Sequence, residues 1–139
     1  MNPKLEMEIR IARTAAIIGH AGQFRRDGDT PYYTHPEVVA YSVSDEAKPA
    51  AWLHDLKEDN SNIGVGELFI IGLSEQTVDA VVLLTKIEGE DYFEYIKRIK
   101  NNKIAREVKI ADISHNLASS PKEKNIIKYN KALEILKSI

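Results

Sequence analysis

The sequence predicts an all-α protein, and three observations carry that prediction. Apolar residues recur at the spacing of a helix almost throughout, while the alternating runs that mark strands are poor. Cap residues, prolines and glycines punctuate this pattern at intervals that suit helices. The 139 residues are enough to bury a proper core, and neither a repeat nor a linker-like run divides them. One domain over residues 1–139 is therefore expected, a helical bundle of about eight helices.

The elements follow in order. Asn2-Pro3 supplies an N-cap and a first-turn proline for a helix running to about Gln23. RRDGDTPYYTHP reads as a loop from its Gly, Asp and Pro content, and Pro36 opens a second helix, PEVVAYSV. Asp45 is placed to cap a third helix carrying AAWLHDLKED, with Pro49 tolerated near its first turn. GELFIIGL is a short helix ended by Gly72, and Ser74 caps the next, EQTVDAVVLLTK. GEDYFEYIKRIK and KIAREVKIADISHNL are separated by an Asn101-Asn102 break. Ser120-Pro121-Lys122-Glu123 reads as a capping box that starts the last helix, with Ile126, Ile127, Leu133 and Leu136 as its inward stripe.

Composition narrows the chemistry. The chain has no cysteine, so disulfides and thiolate metal sites are excluded. The charged N-terminus does not resemble a secretory signal, and no run approaches the roughly 18 apolar residues of a membrane span, so a soluble, cytoplasmic protein with no membrane partner is expected. A net charge of −2 argues against a general nucleic-acid binder. Lys97, Arg98, Lys100, Lys103, Arg106 and Lys109 nevertheless crowd one stretch against Glu107 alone, and Arg25-Arg26 form a second basic spot. Singly these fit solvated helix faces; as a group they offer a lining for an anionic small molecule.

The stretch LHDLKED concentrates ionisable groups beside Ala50-Ala51-Trp52-Leu53, where burial makes carboxylates costly unless something pairs with them. On a helix His54, Asp55, Glu58 and Asp59 fall within an arc of about 140°. Such an anionic patch beside a histidine suits a divalent cation, and without thiolates the donor set favours Mn, Fe, Mg or Zn. Further donors must come from elsewhere in the chain. His35, fixed between Thr34 and Pro36, and Asp112, within VKIADISHN, are the two candidates.

Taken in order, PYYTHP, LHDLKED and VKIADISHN resemble the HD-domain metal phosphohydrolases. Within these the chain is most similar to the hydrolase domain of the Rel/Spo alarmone enzymes and to the stand-alone small alarmone hydrolases. The likeness runs from about Ala15 to about Asn116 and includes AAIIGHAGQFRRDGDTPYYTHP. It implies that His35, His54, Asp55 and Asp112 hold manganese, and that Glu58 and Asp59 position and activate the attacking water. It also implies that Arg25 packs against a nucleotide base and that Asn116 lies near the nucleoside. Lys109 is expected to pack its stem with its charged end in solvent. His20 and His115 are expected to donate to a ligand carboxylate or a backbone carbonyl, and Tyr32 and Tyr33 to be packing residues. Asn60, Ile113 and Asp27 depart from the family pattern without touching the metal set.

The function implied is Mn²⁺-dependent hydrolysis of the 3′-pyrophosphate of guanosine tetra- or pentaphosphate. No synthetase region follows Ile139, so synthesis is not expected. The alternatives are an HD phosphatase acting on a nucleoside monophosphate or the 2′-phosphate of NADPH, and a non-catalytic nucleotide-binding module. Retention of both Glu58 and Asp59 speaks against the last, since a sensor has no need of a water-activating pair.

Overall fold

A central short helix, wrapped by longer ones, organises the molecule. The computed structural model describes residues 1–56, 64–119 and 121–138. Among these the elements are α1 (Pro3–Gly19), α2 (Thr34–Tyr41), a 3-10 turn (Asp45–Ala47), α3 (Lys48–Leu53), α4 (Val65–Ile70) and α5 (Glu75–Leu84), followed by α6 (Tyr92–Ile99), α7 (Lys103–Ala118) and α8 (Glu123–Lys137). The all-α expectation is met: no strand occurs among the described residues, and Phe24 and Pro31 form only an isolated antiparallel bridge. No described helix is long and apolar enough to cross a membrane.

The six residues of α3 explain its position. Pro49, Ala50, Ala51, Trp52 and Leu53 are all buried, so the helix has no solvent face and must be covered on every side. It packs against α1, α2, α5 and α7. Lys48 fastens its start to the end of α2, donating to the carbonyls of Ala40 and Val43 at 2.9 Å each. Gly19 lets α1 approach its far end: a Cβ there would stand 2.2 Å from Leu56 Cδ1.

Two helix starts agree with the cap residues read from sequence, Asn2 and Ser74. Asn2 Oδ1 accepts from the Leu5 amide at 2.8 Å, and Ser74 Oγ from the Thr77 amide at 3.2 Å. Asp91 caps α6 and Asn102 caps α7 in the same way. The end of α5 is closed by side chains of α6. Tyr95 donates to the Leu84 carbonyl at 2.5 Å, and Arg98 reaches the carbonyls of Leu83 and Thr85 while pairing with Glu90 at 2.8 Å.

Other boundaries differ from expectation. α1 stops at Gly19 rather than near Gln23, because Gly22 takes φ +81 and turns the chain. α2 starts at Thr34, two residues before Pro36, so His35 lies inside its first turn. Asp45 does not cap α3; it opens the 3-10 turn, and the N-cap of α3 is Ala47. α3 ends at Leu53, which leaves His54 and Asp55 beyond the helix rather than on one face of it. His54 makes that stop, since its Nδ1–H takes the Ala51 carbonyl at 2.7 Å that a continuing helix would use. α8 starts at Glu123 with Lys122 as N-cap, not at Pro121; Ser120 lies outside the described residues. The expected stripe on α8 also fails in part. Leu136 is fully buried and Leu133 packs on the core, but Ile126 and Ile127 are 38% and 65% exposed. Ile127 is about 180° round the helix from Leu136, whereas Ala132 shares the buried side.

The loop between α1 and α2 is ordered by Asp27. Arg25 N–H donates to the Thr30 carbonyl, and Tyr32 N–H to that of Gln23, at 2.8 Å each. Asp27 Oδ1 accepts from the amides of Asp29 and Thr30 at 2.9 Å, while Oδ2 accepts the Thr30 hydroxyl at 2.5 Å. That hydroxyl first, and the two amides after it, hold the Asp27 carboxyl down at about 2.

Two outcomes follow. Glu8, buried on α1, accepts at Oε1 from the Ser74 hydroxyl at 2.9 Å and from the Thr77 hydroxyl, joining α1 to α5. Glu8→Ala should lower unfolding free energy by about 2–3 kcal/mol in urea titration, with Glu8→Gln losing less; a loss within about 0.5 kcal/mol would count against the link. Because its folded pKa is depressed, Asp27 stabilises the loop above the ordinary carboxylate range and stops doing so as pH falls towards 2. The protection of the Thr30 amide against exchange, relative to its intrinsic rate, should fall on that descent and be absent at neutral pH in Asp27→Ala.

Candidate metal centre

Three helices meet where His35, His54, Asp55 and Asp112 converge. α2 presents His35 from its first turn, the end of α3 presents His54 and Asp55, and Asp112 projects from the buried side of α7. His35, His54 and Asp112 are buried, at 2%, 4% and 5% exposure. Donor atoms of His35, His54 and Asp55 lie within 4.8 Å of one another, a grouping able to hold a metal ion. Asp112 Oδ1 closes the cluster, 2.7 Å from His35 Nε2 and 3.3 Å from His54 Nε2. The two Nε2 atoms are 3.3 Å apart, and Asp55 Oδ2 is 3.6 Å from that of His54.

These separations fit a divalent ion, whose neighbouring ligands stand about 3 Å apart when bonds are near 2.1 Å and octahedral. The ring orientations fit as well. With Nδ1–H of His54 given to Ala51, its Nε2 faces the cluster and carries the lone pair of the neutral ring. His35 Nδ1 meets His115 Nδ1 at 2.7 Å, with the rings stacked 12° from parallel, so the Nε2 atom of His35 also turns inward.

Electrostatics explains how the side chains of the cluster hold one another. Burial works against charge on His54, but Asp55 and Asp112 outweigh it and raise its pKa to about 9. Burial likewise opposes ionisation of Asp112, yet Lys109 and His54 bring its carboxyl well below the usual range. Lys109 donates to Asp112 Oδ2 at 3.0 Å, with its ammonium 5.1 Å from the Tyr95 ring centroid. The Lys109 side chain is only 13% exposed, which corrects the expectation of a solvated charged end.

The surrounding groups sort differently from the sequence reading. Tyr32, expected to be a packing residue, donates its hydroxyl to Asp55 Oδ2 at 2.5 Å. His20 Nε2 faces Asp55 Oδ1 at 3.3 Å and its Nδ1 meets Gln23, which agrees with a role beside a carboxylate. His115 meets a histidine instead of the carboxylate or carbonyl expected for it. The signal for Tyr32 was its place in PYYTHP, three residues before His35; nothing in composition separates it from Tyr33.

Asn116 Nδ2 donates to Asp112 Oδ1 at 3.3 Å. It also lines a cavity of about 320 Å³ with Phe24, Arg25, Tyr32, Asn125 and Tyr129. Arg25 reaches the Ser119 hydroxyl at 3.2 Å, so it stands beside the cluster rather than in it. Glu58 and Asp59 lie outside the described residues. The larger basic stretch does not line one pocket: Arg98 is bound to Glu90, Lys100 to Ser138, and Lys103 is 88% exposed. A separate cavity of about 690 Å³ is mainly apolar, is lined by residues that include Met7, Ile11 and Leu68, and has no residue of the cluster in its lining.

No family model matches the chain. A probable GTP pyrophosphokinase of Mycobacterium leprae is 33% identical, over 84% of this chain and 17% of its own length. The bifunctional (p)ppGpp synthase/hydrolase RelA of Mycobacterium tuberculosis is 32% identical, over 96% of this chain and 20% of its own length. A probable GTP pyrophosphokinase of Mycobacterium bovis is 32% identical over 96% and 19% respectively. The chain therefore spans about a fifth of the length of these relatives. Within that span, the chain is similar to these GTP pyrophosphokinases and to this (p)ppGpp synthase/hydrolase.

Proposed function

We propose that this protein hydrolyses the 3′-pyrophosphate ester of guanosine tetra- or pentaphosphate in a Mn²⁺-dependent reaction, giving GDP or GTP and pyrophosphate. The observation that carries the reading is the buried convergence of His35, His54, Asp55 and Asp112, a donor set able to hold a cation. Similarity to a synthase/hydrolase supports the substrate class, and the resemblance of the three motifs to a hydrolase domain supports cleavage over synthesis.

His35, His54, Asp55 and Asp112 would hold the ion. A divalent ion in that position lowers the pKa of nearby water and polarises a phosphoryl oxygen. Glu58 and Asp59 take the proton of the attacking water as its oxygen bonds to phosphorus. The P–O3′ bond breaks, and the same carboxyl pair returns the proton to the ribose oxygen. Arg25 and Asn116 hold the nucleoside in the cavity beside the cluster. Lys109 keeps Asp112 ionised and oriented, and Tyr32 does the same for Asp55.

The decisive assay offers ppGpp, NADPH and a nucleotide panel to Mn²⁺-loaded protein and follows pyrophosphate and phosphate separately. Release of pyrophosphate from ppGpp is expected; intact ppGpp beside another nucleotide that loses one phosphate would overturn the reading. Asp55→Ala should abolish Mn²⁺ retention and turnover together, whereas Glu58→Gln should retain the ion and lose at least about a hundredfold in kcat. Lys109→Met should weaken Mn²⁺ binding by about 10- to 100-fold, read by calorimetry, because Asp112 loses its partner.

A further inference from the structure

Lys128 on α8 is half-buried in an unusual setting. Its ammonium lies 4.6 Å from the ring centroid of Tyr92 and 5.2 Å from that of Tyr129. No carboxylate pairs with it among the described residues. Burial first, and then the like charges of Lys109, Lys124 and Lys86, hold its pKa below the ordinary lysine value. A half-buried lysine is normally settled by an acid; here the charges bearing on it are all positive.

Two further observations point towards an anionic ligand. Tyr129 also lines the cavity formed with Arg25, Asn116 and Asn125, which places Lys128 next to that cavity. The Tyr92 hydroxyl is buried and has no hydrogen-bond partner among the described residues, so the ring beneath Lys128 carries an unused donor. Lysine over aromatic faces keeps its compact charge and three donors available to phosphate oxygens.

We propose that Lys128 and Lys124, beside Tyr92 and Tyr129, form an anion subsite for a second phosphate group of the substrate, remote from the ester that is cleaved. The assignment rests on the phosphohydrolase reading given above. For a guanosine 3′,5′-bis(diphosphate), the group held is the 5′-diphosphate. The subsite then separates substrates that carry phosphate at both ends of the nucleoside from those that carry it at one.

The test compares Mn²⁺-loaded wild type and Lys128→Gln on ppGpp and on guanosine 3′-diphosphate, which lacks the 5′ group. Lys128→Gln should raise KM for ppGpp about tenfold, leave kcat within about twofold, and leave the 3′-diphosphate unaffected. Equal effects on both substrates, or none on either, overturn the subsite. Calorimetry on metal-free protein with GDP and guanosine decides the matter even if neither substrate is cleaved, an outcome that would count against the hydrolase reading alone. Wild type should bind GDP about tenfold more tightly than guanosine, and Lys128→Gln should lose that difference while unfolding at the same temperature. Equal wild-type affinities, or an unchanged difference in Lys128→Gln, overturn it.

Discussion

The Asp112 carboxylate is the interaction on which the rest of the structure depends. One oxygen faces His35, His54 and the Asn116 amide, and the other receives Lys109. A carboxylate this deeply buried is tolerable only when fully partnered, since removing one partner from a buried charge costs several kcal/mol. The requirement is structural as much as chemical. It ties α7 to α2 and to the end of α3, which also pack against it.

The short α3 makes that convergence possible. A helix buried on every side has one position in the core, and the residue after its last turn inherits that precision. His54 does not lie on a helix face. It ends the helix by taking the Ala51 carbonyl with Nδ1, and that bond commits Nε2 to the cluster. Gly19 contributes from the other side: α1 can close on Leu56 only without a Cβ, and His20 next in sequence then reaches Asp55. The local backbone break and the orientation of the site are one event.

Much of this fold was legible in the chain. Asn2, Ser74 and the Asn101-Asn102 break each announce a helix start through side-chain oxygens that satisfy free amides, a local property independent of tertiary context. The end of α3 was not legible, because helical spacing extends through LHDLKED and only the capture of a carbonyl by His54 interrupts it. Ile126 and Ile127 misled for a related reason: hydrophobicity alone does not say which side of α8 meets α6 and α7. At the site, the residues His35, His54, Asp55 and Asp112 could be named from motif, but the depth of Lys109 and the bond from Tyr32 could not. Both depend on packing between different elements, Lys109 against Tyr95 and Tyr32 against Asp55.

Charge placement ties the fold to its chemistry. The chain as a whole is slightly acidic, so any positive field near the cluster comes from local arrangement rather than net charge. The structure divides that arrangement between two zones. Carboxylates gather in the buried cluster, a set able to hold a cation, while Arg25 lines the neighbouring cavity and Lys128 lies over the Tyr92 ring. Lys109 lies at the boundary, bound to Asp112 on one side and counted among the positive charges around Lys128 on the other. A buried lysine in that position acts on both zones: it offsets the charge of Asp112 and adds to the positive field around Lys128.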